Sequence, residues 1–210
     1  MQLQNMDAPI ISVITVCYNV ASTIEKTMLS VLNQTYKNLE YIIIDGNSTD
    51  GTVDIIKKYA ERLTFWISEP DKGIYDAMNK GIVKATGKFL IFMNAGDQFL
   101  NEKVLSKCLP YFLQEIDVIS GIGYLSGQKW IPAKATDLSV ASFLKRSLNH
   151  QATFINRKLF QDNLYRTDLK IVGDSVFFFQ ALIMDNASYV DIPIEIALCE
   201  KPGLSGQEKK

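Results

Sequence analysis

The sequence predicts an α/β fold: one domain on a Rossmann-like, mostly parallel central sheet flanked by helices, with a mixed second half. Three observations carry this. Continuous apolar, β-branched runs, the pattern of strands covered on both faces, alternate with segments of helical periodicity. The first, second and fourth of these runs end in polar loops rich in Asn, Asp and Gly. A chain of 210 residues, 47% hydrophobic and 21% charged, has ordinary globular composition and can bury one sizeable core.

The elements follow in order. IISVITV, ending at Val16, is the first strand. In STIEKTMLSVL, Ser22 and Glu25 have capping-box spacing, and Ile24, Met28, Val31 and Leu32 share one helical face. LEYIIID is the second strand and closes on GNSTDGT, where Asp50 or Thr52 can cap a helix that aligns Val53, Ile56, Ala60 and Leu63. TFWIS, GIYDAMNKGIVKAT and KFLIFMN give the third strand, third helix and fourth strand. Such βαβ units bind ligands beyond the carboxyl ends of their strands, which singles out the loops CYNV, DGNSTDG and NAGDQF.

After Asp97 the pattern is less regular. NEKVLSKCLPYFLQE is a helix that Pro110 kinks or shortens, and DVISGIGYL and KWIPA are short strands. DLSVASFLKRSL is a helix, QATFINR a strand, GDSVFFFQALIMDN a buried helix and SYVDIPIEIAL the last strand. No repeat, low-complexity tract or linker interrupts residues 1–210. Residues of about 9–97 form one half, and about 98–200 build a wall opposite it.

Charge and cysteine usage exclude several classes. With 22 basic against 23 acidic side chains, the formal charge of −1 does not suit a nucleic-acid coat. Cys17, Cys108 and Cys199 are odd in number and widely spaced, so neither a disulfide framework nor a C-x-x-C zinc site is expected. A reducing, cytoplasmic setting fits best, the inner face of the membrane included. No basic segment leads into an apolar run at the N-terminus, so no signal peptide is expected. FLIFM and VFFFQALIM fall far short of the ~18 residues that cross a bilayer. The polar ending GQEKK, with no amphipathic helix before it, leaves membrane docking an unsupported expectation.

Four features bear on chemistry, and each has a plain structural reading beside it. Tyr18, Asp45 and Ser48 follow the first two strands, where an aromatic face and a carboxylate can hold a base, or where turn residues simply form turns. Asp71 and Asp76 flank Gly73 at a helix start, which suits the helix dipole with or without a ligand. Asp97 follows a buried strand beside Asn94 and Gly96, as a turn former or as an oxygen ligand for a hard cation. Asp174 opens an apolar helix, as an N-cap or as a base at the rim of a cleft.

The order of these pieces is more specific than any one of them. ISVITVCYN, SVLNQTYKNLEYIIIDGNSTDGT, SEPDKGIYDAMNKGI and ATGKFLIFMNAGD together resemble glycosyltransferase family two. The resemblance is dense from about Ile11 to Asp97. It resumes at HQATFINRKLF, which begins at His150, then at Asp174 and at a Pro-Gly-Leu-Ser segment near the end. It implies the A-type glycosyltransferase fold in a single domain, with the first half binding a nucleoside-diphosphate sugar, UDP-linked by expectation. The second half would face a saccharide or lipid-linked saccharide acceptor, and no nucleic-acid partner is implied. Bacterial surface polysaccharide synthesis is the implied setting, by analogy of fold and motif.

Residue by residue, the resemblance puts Tyr18 near the base with the Val16 backbone close by, and Asp45 beneath the nucleotide. Many relatives carry a second acid where this chain has Gly46, so Asp45 or Ser48 is expected to substitute for it. Asp71 and Asp76 would line the ribose and sugar side of the donor pocket. Asp97 matches the last acid of the family's D-x-D element, whose earlier acids are here Asn94 and Gly96, and it would hold Mn²⁺ or Mg²⁺. Asp174 matches the general base, and His150 lies on the acceptor side. Inversion at the sugar by a single displacement follows. Two rival enzymes lack their phosphate loops after the first strand: CYNVAST has neither the Gly- and Lys-rich loop expected of a nucleotidyltransferase nor the G-x-G-x-x-G of a dehydrogenase. A catalytically silent nucleotide-sugar-binding module is the rival from another class.

Overall fold

The computed structural model describes residues 8–145 and 147–199. Four strands form the first half of the sheet: β1 (Ile11–Cys17), β2 (Leu39–Asp45), β3 (Phe65–Ser68) and β4 (Phe89–Phe92). They pair in parallel in the order β3-β2-β1-β4. All residues of β1 and β4 are buried, which is why their sequences are mostly apolar rather than alternating, and the two polar residues of β1, Ser12 and Thr15, are hydrogen-bonded inside. The helices α1 (Ile24–Leu32), α2 (Thr52–Lys58) and α3 (Ile74–Lys84) connect them.

The chain runs outward from β1 through β2 to β3, then returns to the other side of β1 with β4. That reversal lies between β1 and β4, and open α/β sheets bind ligands at the carboxyl ends of the strands where the order reverses. Helix α3 is the element that closes the return. Adding a Cβ to its Gly81 would bring it within 2.5 Å of the Ile14 side chain, so the helix needs glycine there to lie close on β1.

The second half makes the sheet mixed, as expected of it. It comprises β5 (Asp97–Phe99), α4 (Val104–Phe112), β6 (Val118–Leu125), β7 (Gln128–Trp130), α5 (Val140–Lys145), β8 (Thr153–Asn156), α6 (Gly173–Phe179) and β9 (Tyr189–Cys199). The sheet continues from β4 as β8-β6-β9-β5, with β7 on β6. Here β8 is antiparallel to both neighbours, β6 and β9 are parallel across two irregularities, and β5 is antiparallel to β9. The β6–β7 hairpin turns on Ser126 and Gly127, with φ 49° and 78°, the left-handed pair that a two-residue hairpin needs.

Two expectations change, and a third, the helix shortened at Pro110, holds. The capping box does not form: Thr23 is the N-cap of α1 without a side-chain cap, and Glu25 instead accepts the Tyr59 hydroxyl at 2.8 Å. Asp97 is not a loop residue past β4; it opens β5, whose three residues are too few to show a period. Pro110 lies within α4, which runs only two residues further, to Phe112. The Pro-Gly-Leu-Ser segment and the GQEKK ending lie outside the described residues. Among the described residues no helix is long and apolar enough to cross a membrane.

Candidate active site

The loops after β1 and β2 are stitched into one rim. Asn19 N donates to Ser48 Oγ at 2.8 Å, Thr49 N to Asn19 Oδ1 at 2.9 Å, Val20 N to Thr52 Oγ1 at 2.9 Å and Ala21 N to Asp50 Oδ2 at 2.9 Å. On this rim the Tyr18 side chain stands open, 62% exposed, so its ring lies free against solvent. Val16 is buried below, and its carbonyl accepts Ala95 N at 3.2 Å, which ties the end of β1 to the segment after β4.

Asp45 is fully buried, and its carboxylate is occupied. Ser48 donates both its N–H at 2.9 Å and its hydroxyl at 2.5 Å, Ser68 Oγ donates at 2.6 Å, and the Cys17 thiol at 3.4 Å. Burial and the Asp45 charge push the Cys17 thiol far above its ordinary range, so it stays a donor. Ser48 is thus turned onto Asp45 and Asn19. Asp71 behaves differently. Its Oδ1 accepts Gly73 N at 2.8 Å, and its Oδ2 lies 2.5 Å from the point where a Cβ on Gly46 would stand. The same point is 3.4 Å from Cδ2 of Tyr18, so Tyr18, Gly46 and Asp71 meet at the ends of β1, β2 and β3. Asp76 accepts Lys72 N at 3.0 Å and lies 3.7 Å from Lys80 Nζ. It lines a cavity of about 310 Å³ between β3 and α3, together with Phe65, Ile67, Glu69 and Lys80.

A second group gathers past β4. Asp97 N donates to Asn94 O at 2.8 Å, and Gly96 N donates to the buried Thr27 hydroxyl of α1 at 2.9 Å. Gly96 has φ 104°, which disfavours any residue with a Cβ and explains why no acid stands there. Asn149 caps a short 3₁₀ turn from His150 to Ala152 just before β8, accepting Gln151 N at 3.0 Å. This turn carries the His150 ring into a bridge: Nδ1 lies 2.8 Å from Asp174 Oδ2, and Nε2 lies 3.2 Å from Asn94 Nδ2. With the Nδ1 proton donated to the carboxylate, Nε2 accepts from the amide.

Asp174 is the second residue of α6, and its other oxygen accepts the Tyr75 hydroxyl at 3.0 Å. That hydroxyl in turn accepts Gly173 N at 2.8 Å, and a Cβ on Gly173 would stand 2.8 Å from the Tyr75 ring. Burial pushes the Tyr75 hydroxyl up to about 12, so it remains a donor. Burial alone would raise Asp174, but the hydrogen bond and charge of His150 and the Tyr75 bond outweigh it and hold the carboxyl below its ordinary value. For His150, burial lowers proton affinity, yet the bond to Asp174 and the charges of Asp174 and Asp97 raise it above the ordinary value. Asp97, 7% exposed, is raised by burial despite His150 and a hydrogen bond with Gln151.

Asp174 therefore bonds the His150 imidazole, and Asp97, far from it in sequence, lies near enough for its charge to act on the same ring. Among the sequence-derived candidates, Asn94, Asp97, His150 and Asp174 come together, as do Tyr18 and Asp71. Asp45 and Ser48 bond each other, and Asp76 turns to the β3–α3 cavity. Sequence reasoning missed Tyr75, Gln151 and Ser68. Tyr75 precedes Asp76 in a quoted motif and Gln151 follows His150, but only the tertiary fold shows what they touch.

Among the described residues no group of three or more His, Cys, Asp or Glu side chains could hold a metal ion. A cation that brings phosphate oxygens with it needs fewer protein ligands. Asn94 Oδ1 is buried without a hydrogen-bond partner, an orphaned hard oxygen in the same turn as the Asp97 carboxylate. Those two oxygens fit such an ion.

Known proteins share this arrangement of chain. A PGL/p-HBAD biosynthesis glycosyltransferase of Mycobacterium bovis (strain BCG / Pasteur 1173P2) is 34% identical over 161 residues, 74% of this chain and 62% of the relative. The crystal structure of S. aureus TarS 1-349 in complex with UDP-GlcNAc superimposes with a TM-score of 0.78 at 20% identity, over 96% of this chain and 61% of that one. The mannosyltransferase PcManGT from Pyrobaculum calidifontis, in complex with GDP-Man and Mn²⁺, gives 0.74 at 20% identity, over 96% and 59%. At such identity the two structures establish the shared A-type fold alone. The chain spans about three fifths of the length of each of the three. The model of "Glycosyl transferase family 2" matches residues 12–187, from the first strand to beyond Asp174, and on that span the chain belongs to this family of glycosyltransferases.

Proposed function

We propose that the chain transfers a sugar from a nucleoside-diphosphate sugar to a hydroxyl of a saccharide or lipid-linked saccharide, with inversion at the anomeric carbon. The observation that carries this is the Asn94–His150–Asp174 bridge at the topological switch point, with the open Tyr18 ring on the rim formed by the loops after β1 and β2. TarS and PcManGT were captured with UDP-GlcNAc and with GDP-Man, which supports a nucleotide-sugar donor. The M. bovis relative is named for PGL/p-HBAD biosynthesis, which agrees with a place in building surface glycans.

In this reading the acceptor hydroxyl oxygen attacks the anomeric carbon as the bond from that carbon to the diphosphate oxygen breaks. The hydroxyl proton passes to Asp174, whose carboxylate His150 and Tyr75 hold in place and ionised. One displacement needs no covalent sugar–enzyme intermediate. Asp97 and Asn94 Oδ1 would hold Mn²⁺ or Mg²⁺, which supplies positive charge against the departing diphosphate.

A panel of nucleoside-diphosphate sugars tests the proposal, read by thermal stabilisation with and without Mn²⁺ or Mg²⁺ and by product analysis. At least one donor raises the melting temperature, more so with metal, and Asp97→Asn removes the metal-dependent part while the unliganded protein stays folded. The product linkage, read by NMR, is inverted relative to the donor; a retained linkage overturns the mechanism.

A further inference from the structure

Resting on that reading for the role of Asp174, we infer that Asn79 is a positioning residue, which holds the carboxylate in place through Tyr165. Asn79 lies on α3 one turn after Tyr75, on the same face of the helix. Its side-chain amide meets the Tyr165 backbone as a neighbouring strand would: Nδ2 donates to Tyr165 O at 2.8 Å, and Oδ1 accepts Tyr165 N at 3.0 Å. One turn back, the Tyr75 hydroxyl accepts Gly173 N and donates to Asp174. The stretch 166–172 is mostly exposed and contains neither helix nor strand, so two side chains of one helix fix its two ends.

Tyr165 links this clamp to the base. Its ring is buried and packs on Tyr75 at 5.6 Å, on Phe92 at the end of β4 at 5.5 Å and on Phe177 of α6 at 5.2 Å between centroids. Phe177 stands one turn after Asp174 in α6. Among the described residues the buried Tyr165 hydroxyl has no hydrogen-bond partner. A buried hydroxyl that served here as a polar group would have found one, so the ring is what sets α6 against α3. The amide of Asn79 makes both bonds that hold the backbone below that ring. Alanine makes neither, and aspartate accepts from Tyr165 N but sets an oxygen against Tyr165 O.

His150 is the one histidine of the chain, so its imidazole reports on Asp174 without overlap in a long-range ¹H–¹⁵N spectrum. In Asn79→Ala, recorded below its melting temperature, the ring nitrogen signals move from their wild-type positions, because the carboxylate bonded to Nδ1 has shifted. Asn79→Asp, which keeps one bond, moves them less and serves where Asn79→Ala does not fold. Tyr165→Phe keeps the ring and leaves the signals where they are. In transfer assays Asn79→Ala lowers kcat about ten- to hundredfold, the cost of a small misplacement of a reacting group, with donor affinity within about twofold of wild type. Wild-type His150 signals in a folded Asn79 variant overturn the inference and leave the clamp a role in stability alone. Tyr165→Phe moving the signals as far as an Asn79 variant overturns it too, since the hydroxyl would then carry the effect. A wild type that transfers no sugar is a distinct result: it removes the reading of Asp174 as a base, while the His150 signals still decide whether Asn79 places that carboxylate.

Discussion

His150 Nδ1 lies 2.8 Å from Asp174 Oδ2, a contact that fastens the turn before β8 to the start of α6. Both side chains are 17% exposed, so the pair is largely desolvated while still open to one side. A carboxylate so placed would by burial alone hold its proton more tightly. The imidazole reverses this and keeps Asp174 ionised. Tyr75, from α3, completes the support, so three separate parts of the chain meet at one carboxylate.

Replacing Asp174 by Asn keeps the shape of the side chain and removes its capacity to take a proton. Donor affinity should stay within about twofold of wild type, and transfer should fall about 10²- to 10⁴-fold, the usual range for a lost general base. Donor titration and single-turnover transfer measure the two separately. Turnover equal to wild type would take Asp174 out of this role.

His150→Ala removes the bond and charge that depress the Asp174 value and leaves burial in place. The carboxyl then titrates at higher pH. With Asp174 as the proposed base the ionised form is the active one, so the acid limb of the kcat–pH profile should move upward in pH, besides any fall in maximum rate. A role confined to packing would lower the rate without moving that limb.

Glu40 tests the sheet rather than the site. It is 6% exposed, and its carboxylate accepts the hydroxyls of Ser12 and Thr86 and the N–H groups of Thr86 and Gly87. Burial would raise its value, but these bonds together lower it below the ordinary one. A depressed carboxyl stabilises the fold above its unfolded value, and that stability is lost as pH falls through the folded one. Glu40→Ala should cost about 3 kcal/mol near neutral pH by leaving several donors without a partner. Glu40→Gln should cost less and flatten the acid side of the stability curve, as measured by urea unfolding between roughly pH 3 and 7. A parallel acid limb in wild type and Glu40→Gln would show that the carboxylate carries no such linkage.

How far the sequence could be read depended on whether a feature is local. The strands β1, β2 and β4 are long apolar runs, and Asp97 and Asp174 follow or open recognisable segments, so both were legible. What each acid touches was not. Asp45 sits where the motif leads one to look, yet its serines and Cys17 consume it, while Asp71, 26 residues on, reaches the place beside Gly46 and Tyr18. Spacing carries no information about which carboxylate a neighbouring strand will satisfy. Gly96 read as a lost acid, and its φ of 104° gives the backbone reason for the glycine. The capping box failed because Glu25 has a stronger claim on it from Tyr59, a tertiary contact invisible in the local pattern.

Val172 carries the last prediction. It has φ 68° and ψ 9° just before α6, a left-handed conformation that a β-branched residue adopts only under strain. Its side chain is 51% exposed, so apolar burial offers little in return. Two residues later stands Asp174, and the Val172 carbonyl accepts Val176 N at 2.9 Å, so the strained residue sets the angle at which α6 starts. Asn tolerates this conformation, and Val172→Asn should stabilise the fold by about 1 kcal/mol, or about 2–4 °C in Tm for a chain of this size. Transfer should change little, because the backbone angle is kept and only its cost is relieved. Calorimetric melting of the two proteins decides it: a lower Tm in Val172→Asn would mean that the valine side chain makes contacts worth more than the strain it imposes.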